Sequence, residues 1–326
     1  MTDVNIGQLA ASTLRNRKKD FADNALNSNA LLYKLNKRGN VRTIVEGGRS
    51  IVEPVLYDGN GTFTRYSGFQ TLNINDGDVL DAAEFTPVQA AVNFTISGRE
   101  MRMNRGVEKA VDLIEAKMEG AKATLANNLT QDIYSAGTTS NQVGGLQLLV
   151  ADDPTTSTSV GGINQSTYSW WRNQTYDFSS NSKTAAADML EGLGNLVRQC
   201  SFGNDRPDLI VMDMNYYGIF ENALLDLRRF GSEESELAKA GFKAIKWNGA
   251  DVVFEHSASG IPSNHAYVLN TKYLKLQMYQ GAAMEPDFDG KTDGIRPVDQ
   301  DGLVFPILFM GNLTTNGRRY HGVLKD

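Results

Sequence analysis

The chain has one cysteine, three histidines and eight prolines in 326 residues, and these scarcities narrow what it does. A single thiol, Cys200, rules out an internal disulfide framework, and its place in an apolar helical stripe reads as a buried structural thiol rather than a nucleophile. His256, His265 and His321 do not fall at metal-ligand spacing with one another or with Cys200. No phosphate-binding glycine loop, dinucleotide fingerprint or nucleophile elbow occurs. Asp287-Phe288-Asp289-Gly290 with Asp293 only faintly matches a calcium loop, since the frame and the closing glutamate are missing, and an acidic turn is the simpler reading. No apolar run approaches the ~20 residues that cross a bilayer, and MTDVNIGQLA has no charged-then-apolar signal pattern. The expectations are therefore a soluble chain made in a cytoplasm, no cofactor, no metal, no membrane and no catalytic residues.

What is present begins with uneven charge. Residues 1–42 carry eight basic side chains against three acids, a surplus of five, so the rest of a chain with net charge −6 has a deficit of eleven. A basic arm on an acidic body suits contact with nucleic acid or with an acidic face of a neighbour, and Arg15, Arg17, Lys18 and Lys19 are its densest cluster; a solvated helix is the plainer alternative.

From Gly39 to Gly98 the pattern turns to β. Leu72 and Ile74 alternate with polar neighbours, as do Val88, Ala90, Val92, Phe94 and Ile96, and Asp58-Gly59-Asn60-Gly61 and Asp76-Gly77 are turn sequences. The spacing predicts a two-stranded excursion of roughly 50 residues with too few large apolar side chains for a core of its own, which therefore needs a partner surface.

The stretch Met103 to Ser135 repeats apolar residues at helical spacing through Val107, Val111, Ile114, Met118, Ala121, Leu125, Leu129 and Ile133. It predicts one helix of roughly 50 Å. Beyond it, Gly137 to Ser182 is loop-rich and contains Trp170-Trp171-Arg172, adjacent aromatics that more often fill a gap than bind a ligand. A helix with Thr184 as its cap and Met189, Leu190, Leu193, Leu196, Val197 and Cys200 on one face follows. Then come a strand at Leu209–Met212, a helix from Tyr216 to Arg229, and strands at Val252–Phe254, Ala266–Leu269 and Leu274–Met278. The apolar strand Leu303–Leu313 must be covered.

The order of parts, basic arm, long β excursion, very long helix, α/β lobe and returning apolar strand, resembles the major capsid proteins of tailed double-stranded DNA phages with the Hong-Kong-97-type fold. The resemblance spans nearly the whole chain. Its local phrases are Asn24 to Leu35, Gly47-Gly48, Gly161-Gly162-Ile163-Asn164 with Thr167 and Trp171-Arg172, and Gly311-Asn312-Leu313 with Arg318-Arg319. It implies an α+β fold with an N-arm (1–38), an E-loop with its P-domain base strands (39–100), a spine helix of the P-domain (101–137), a mixed α/β A-domain (138–270), and returning strands with a tail (271–326).

It also implies a structural, non-enzymatic role in a virion. Hexamers and pentamers of one chain would form an icosahedral head around double-stranded DNA, assembled in the bacterial host cytoplasm with a portal, a separate scaffolding protein and possible decoration proteins. The scaffold is expected to be separate because Met1 begins directly at the arm. Asp58, Gly59, Asn60, Gly61, Phe63, Arg65, Tyr66 and Phe69 are the intersubunit contact candidates, and Arg15, Arg17, Lys18 and Lys19 the inner-surface or DNA-facing ones. Some relatives lock the shell by an isopeptide bond from an E-loop lysine; here no lysine lies between Lys37 and Lys109. An encapsulin-like compartment shell, or a soluble oligomeric α+β enzyme or binding protein, are the alternatives.

Overall fold

The structure, a computed structural model, describes residues 29–45, 47–59, 61–72, 74, 77–103, 107–226, 244–286 and 295–326. In chain order the elements are α1 (Ala30–Arg38), β1 (Val41–Ile44), β2 (Ile51–Leu56), β3 (Leu80–Phe85), β4 (Val88–Ser97), α2 (Gly98–Met103) and α3 (Val107–Ile133). A single turn α4 (Leu146–Leu149), the short strands β5 (Ser159–Val160) and β6 (Ile163–Asn164), and β7 (Gln174–Asp177) lead to α5 (Ala185–Gln199), β8 (Leu209–Asp213) and α6 (Met214–Asp226). Then follow β9 (Ala244–Trp247), β10 (Ala250–Glu255), β11 (His265–Leu269), β12 (Leu274–Pro286), β13 (Gly302–Thr315) and β14 (Gly322–Lys325).

Two sheets organise these elements. The first has strand order β1-β12-β13-β4, with β13 antiparallel to both neighbours and β1 parallel to β12. Alternation on β13 sends Leu303, Phe305, Ile307 and Phe309 to one buried face, where Phe305 stacks on Phe94 at 4.9 Å. Helix α3 packs on β4 and buries Met118, Ala121, Leu125, Leu129 and Ile133 in the same core. Lys117 ties helix to sheet: its Nζ donates to the Thr95 carbonyl at 2.7 Å and to the Glu100 carboxylate. That hydrogen bond is the main reason the Glu100 carboxyl is held down at about 2.

The second sheet has order β7-β14-β11-β8-β10-β9 and is covered on both faces. Ile210, Met212, Val252, Val268 and Leu324 point to α5 and α6, whereas Leu209, Val211, Val253, Tyr267 and Val323 join the core that contains α3. Double coverage explains why Leu209 to Met212 of β8 are all apolar. The end of the chain, β14, is clamped between β7 and β11. A Cβ on Gly322 would stand 2.8 Å from Cys200 Sγ, so this strand lies directly on the thiol. Burial pushes the Cys200 thiol far up, which fits a packing role.

Several expectations are corrected. The long helix runs to Ile133 rather than Ser135, with Tyr134 turned into the core, and the residues before position 104 form the separate helix α2. Leu72 and Ile74 are not in a strand; the partner of β2 is β3, eight residues beyond Leu72. β4 belongs to the first sheet, where β13 gives it a full ladder, rather than to the excursion. Thr184 is the N-cap of α5 by position but its side chain makes no cap bond; its N–H donates to Asp188 instead. Helix α6 begins at Met214 and is described to Asp226, and the acidic segment from Asp287 lies outside the described residues.

Candidate assembly site: root and tip of the long hairpin

Strands β2 and β3 pair antiparallel from Ile51↔Phe85 to Leu56↔Leu80. Their inward face is not coreless: Ile51, Val55, Ala83 and Phe85 are buried in the main core. Between Ile51 and Val55, on that inward side, sits Glu53, 2% exposed. Its carboxylate accepts from Lys275 Nζ at 2.5 Å, from Thr314 Oγ1 at 3.1 Å and from the Gln277 amide. Lys275 and Gln277 lie on β12 and Thr314 on β13, so one buried charge fastens the hairpin root to the first sheet. A buried carboxylate is tolerated only with this degree of pairing.

Three further contacts hold the root. The Gly161 carbonyl accepts the Glu84 N–H at 2.9 Å, and Gly161 has φ +61 with an ideal Cβ 2.9 Å from Ala83 Cβ, so only glycine lets this turn approach β3. Tyr57 stacks on Trp170 at 4.9 Å where the chain leaves the ladder. Asn312 bridges elements, its Nδ2 donating to the Thr86 carbonyl at 2.8 Å while its Oδ1 accepts from Gly144 N at 3.0 Å.

Beneath this contact lies Arg318, fully buried. Its guanidinium donates to the Leu149 carbonyl at 2.7 Å, Gln165 Oε1 at 2.9 Å, the Trp171 carbonyl at 3.2 Å and Asn173 Oδ1 at 3.1 Å. All four acceptors are neutral, and burial lowers the guanidinium to about 9. Trp171 in turn donates its Nε1–H to the Val160 carbonyl at 2.9 Å, and Arg172 donates to the carbonyls of Gln165 and Ser166. The glycine turn, the tryptophan pair, Asn312 and Arg318, separated by up to 157 residues in sequence, are thus one joint beneath the hairpin.

The tip has the opposite character. Phe63 is 81% exposed, Phe69 109% and Ile74 89%; Tyr66, Leu72, Leu56 and Leu80 are also exposed. Exposed large apolar side chains concentrate here among the described residues, where a monomer normally avoids such a patch. Of the contact candidates, Asp58 Oδ1 accepts the Gly59 N–H at 2.7 Å, and the Arg65 guanidinium lies 5.8 Å over the Phe63 ring. Gly61 sits in a turn, Tyr66 and Phe69 stand bare, and Asn60 lies outside the described residues. Arg15, Arg17, Lys18 and Lys19 lie outside them too.

Glu53, Lys275, Gln277 and Thr314 were not singled out from sequence. The available signal was a carboxylate on the inward side of an alternating strand, Ile51-Val52-Glu53-Pro54-Val55, which marks a residue with a buried partner. Among the described residues no group of His, Cys, Asp and Glu is placed to hold a metal ion, and no helix is long and apolar enough to cross a membrane.

Strand-rich first sheet, helix α3 laid on it, projecting hairpin and two-faced α/β lobe together make up the Hong-Kong-97-type fold. Solved structures with this arrangement include the cyanophage A-1(L) capsid asymmetric unit, with TM-score 0.68 and 15% identity over 92% of this chain and 93% of that one. The capsid of the empty GTA particle matches with TM-score 0.53 and 11% identity over 88% of each chain. A chain of Mycobacterium phage Bobi matches with TM-score 0.53 and 11% identity over 88% of this chain and 89% of that one. No sequence family and no curated protein sequence matches this chain.

Proposed function

We propose that the chain is the major capsid protein of a tailed double-stranded DNA phage, a structural subunit whose hexamers and pentamers tile an icosahedral head. The observation that carries this reading is the contrast within one hairpin: a root fastened by a buried ion pair and a tip that leaves its aromatics in water. Burying Phe63, Tyr66, Phe69 and Ile74 on a neighbour contributes on the order of 6–12 kcal/mol before association costs, at about 1.5–3 kcal/mol per side chain. A repeating contact of that size sustains a shell; left exposed, the same patch favours aggregation. Asp58, Gly59, Asn60, Gly61, Phe63, Arg65, Tyr66 and Phe69 are the residues we assign to the neighbouring subunit's surface.

In this reading residues 1–38 are the N-arm, 39–100 the E-loop and its base, 101–137 the spine, 138–270 the A-domain and 271–326 the returning strands. Arg15, Arg17, Lys18 and Lys19 face the inner surface or packaged DNA, and their joint neutralisation weakens assembly or DNA retention most at low salt, where such charges are least screened. A portal and a separate scaffolding protein take part in assembly in the bacterial host cytoplasm, and a decoration protein is an optional addition.

The test replaces residues 58–78 with Asn-Gly. The variant is expected to stay folded by circular dichroism and to form no closed particles by negative-stain microscopy, while the full chain, with its scaffold where needed, forms them. Closed shells from the shortened chain sink the intersubunit role. Nucleic acid inside purified particles supports the capsid reading; protein cargo and no nucleic acid indicates a compartment shell.

A further inference from the structure

The segment 151–158, between α4 and β5, reaches the second sheet at His265, the first residue of β11. The two ring nitrogens of this histidine face two oxygens: Nε2 lies 3.2 Å from Asp152 Oδ2, and Nδ1 lies 2.8 Å from the Ser263 carbonyl. A carboxylate oxygen and a backbone carbonyl only accept hydrogen bonds. A neutral imidazole has one N–H, so it satisfies one of these oxygens and turns a bare lone pair on the other. The imidazolium, with two N–H groups, satisfies both. The geometry is that of the charged ring.

We propose that His265 is a proton-operated tie, which pins the segment 151–158 to β11 when the ring is charged and releases it when the ring is neutral.

The segment matters because of what it leads to. Asn173 brackets its first residue, Oδ1 accepting the Ala151 N–H at 3.1 Å and Nδ2 donating to the Ala151 carbonyl at 2.8 Å. At its far end Gln165 Nε2 donates to Thr156 Oγ1 at 2.8 Å, and the Thr158 carbonyl accepts the Gln165 N–H at 3.3 Å. Asn173 and Gln165 are two of the acceptors of Arg318, and Gly161, three residues past the segment, is the turn that meets β3. Asp152 therefore stands between two anchors that both run into the joint beneath the hairpin. Its bond to His265 adds a third anchor that depends on pH.

The charges around the ring leave Asp152 as its acidic partner. Lys325 of β14 stands opposite His265 and disfavours its charge, but the ammonium lies 3.5 Å from Asp177 of β7. At the end of β8, Asp213 Oδ2 accepts the N–H groups of Asn215 and Asn264 at 3.3 and 3.2 Å. Asp153 accepts the Thr155 N–H at 2.9 Å, and Arg172 donates to the carbonyls of Gln165 and Ser166. Tyr267, on the same strand, has its ring centre 6.4 Å away, and Asp326, next to Lys325, is exposed. Burial works against the charged imidazole; the bonds to Asp152 and Ser263 outweigh it, so the group stands above its ordinary value of 6.5. A histidine raised in the folded state contributes stability that is complete below about 6.5 and is lost as pH rises through the higher folded value. The tie does not depend on what the chain assembles into.

Two measurements on the full chain test it. The first is a histidine-selective NMR titration, which is simple to read because the chain has three histidines. His321, fully buried and pushed down to about 3, stays silent across the range, and the His265 signal is the one missing from His265→Gln. Its midpoint is expected above 6.5 in the wild type and clearly lower in Asp152→Asn. The second is hydrogen exchange of peptides spanning 150–158 at pH 5.5 and 8.5, with labelling times corrected for intrinsic exchange. The two side chains are 14% and 48% exposed, so the change expected is that of a partly screened pair: protection falls roughly two- to fivefold at the higher pH in the wild type. In Asp152→Asn and His265→Gln it is expected to sit near the wild-type pH 8.5 level at both values, and thermal melts confirm that each variant is folded. A wild-type midpoint at or below 6.5, a midpoint that Asp152→Asn leaves in place, or a loss of protection that persists in both variants overturns the tie. Peptides in β13 are the internal reference, and an equal fall there is global loosening that overturns it as well.

Discussion

Replacing Glu53 with glutamine tests the root of the hairpin most directly. The substitution keeps the shape and removes the charge, leaving Lys275, itself 14% exposed, opposite a neutral amide. Breaking a buried pair by removing one partner costs roughly 3–5 kcal/mol, and the low end applies because the Lys275 ammonium retains a route to water. For a chain of 326 residues about 3 kcal/mol lowers Tm by roughly 4 °C. The second variant, Lys275→Met, strands the carboxylate instead, and Glu53, at 2% exposure, has no such route; its cost is expected to exceed that of Glu53→Gln. The double variant Glu53→Gln/Lys275→Met is expected to recover most of the loss, because no uncompensated charge remains. Thermal unfolding of the four chains closes the cycle, and assembly yield follows the same order, since a loosened root no longer aims the tip. Additive losses in the double variant, or a Glu53→Gln chain within 0.5 kcal/mol of the wild type, would refute the claim that this pair fastens the hairpin.

The other expectations are brief. Gly161→Ala places a Cβ 2.9 Å from Ala83 Cβ at φ +61, so it should destabilise by about 2–3 kcal/mol by calorimetry and reduce particle yield, whereas Gly162→Ala meets no neighbour within 4 Å and should show only the backbone strain of about 1 kcal/mol. Arg318→Met strands four buried acceptors and should cost several kcal/mol, and Arg318→Lys, which lacks the fork, should restore less than half of that in the same melts. Boiling purified particles in detergent should release one band near 35.7 kDa, because the excursion contains no lysine for an amide cross-link and the thiol is buried. A ladder of covalent oligomers on that gel refutes a non-covalent shell.

Much of the frame was legible because periodicity records burial. The apolar stripe from Met118 to Ile133, the fully buried β8 and the long β13 all read correctly as what they are. The hairpin register did not. Leu72 and Ile74 alternate as a strand should, yet the ladder forms at Leu80-Asp81-Ala82-Ala83-Glu84-Phe85, a sequence of weak β propensity, because Ala83 and Phe85 fit against Gly161 and the core while Leu72 and Ile74 stay exposed among the described residues. Position within the fold overrode local preference. The site was half legible: the turn residues and aromatics of the tip declare themselves, whereas Glu53 depends on partners more than 220 residues away that no spacing rule connects.

The same consideration explains why short phrases carried the resemblance at 15% identity or less. Surfaces and most core positions accept many side chains of similar volume, so they leave little trace in a sequence. Joints accept few. Gly161 must let β3 come within contact of a turn, Gly311 must let β12 and β13 close where a Cβ would meet the Gln277 carbonyl at 2.2 Å, and Asn312 must serve two backbones at once. Arg318 must satisfy four carbonyl and amide oxygens without a counter-ion. Each requirement is met by one residue type, or very nearly one, and each lies where the hairpin root, the first sheet and the α/β lobe converge. The part of the molecule that fixes the direction of the projecting tip is therefore the part whose side chains are least replaceable.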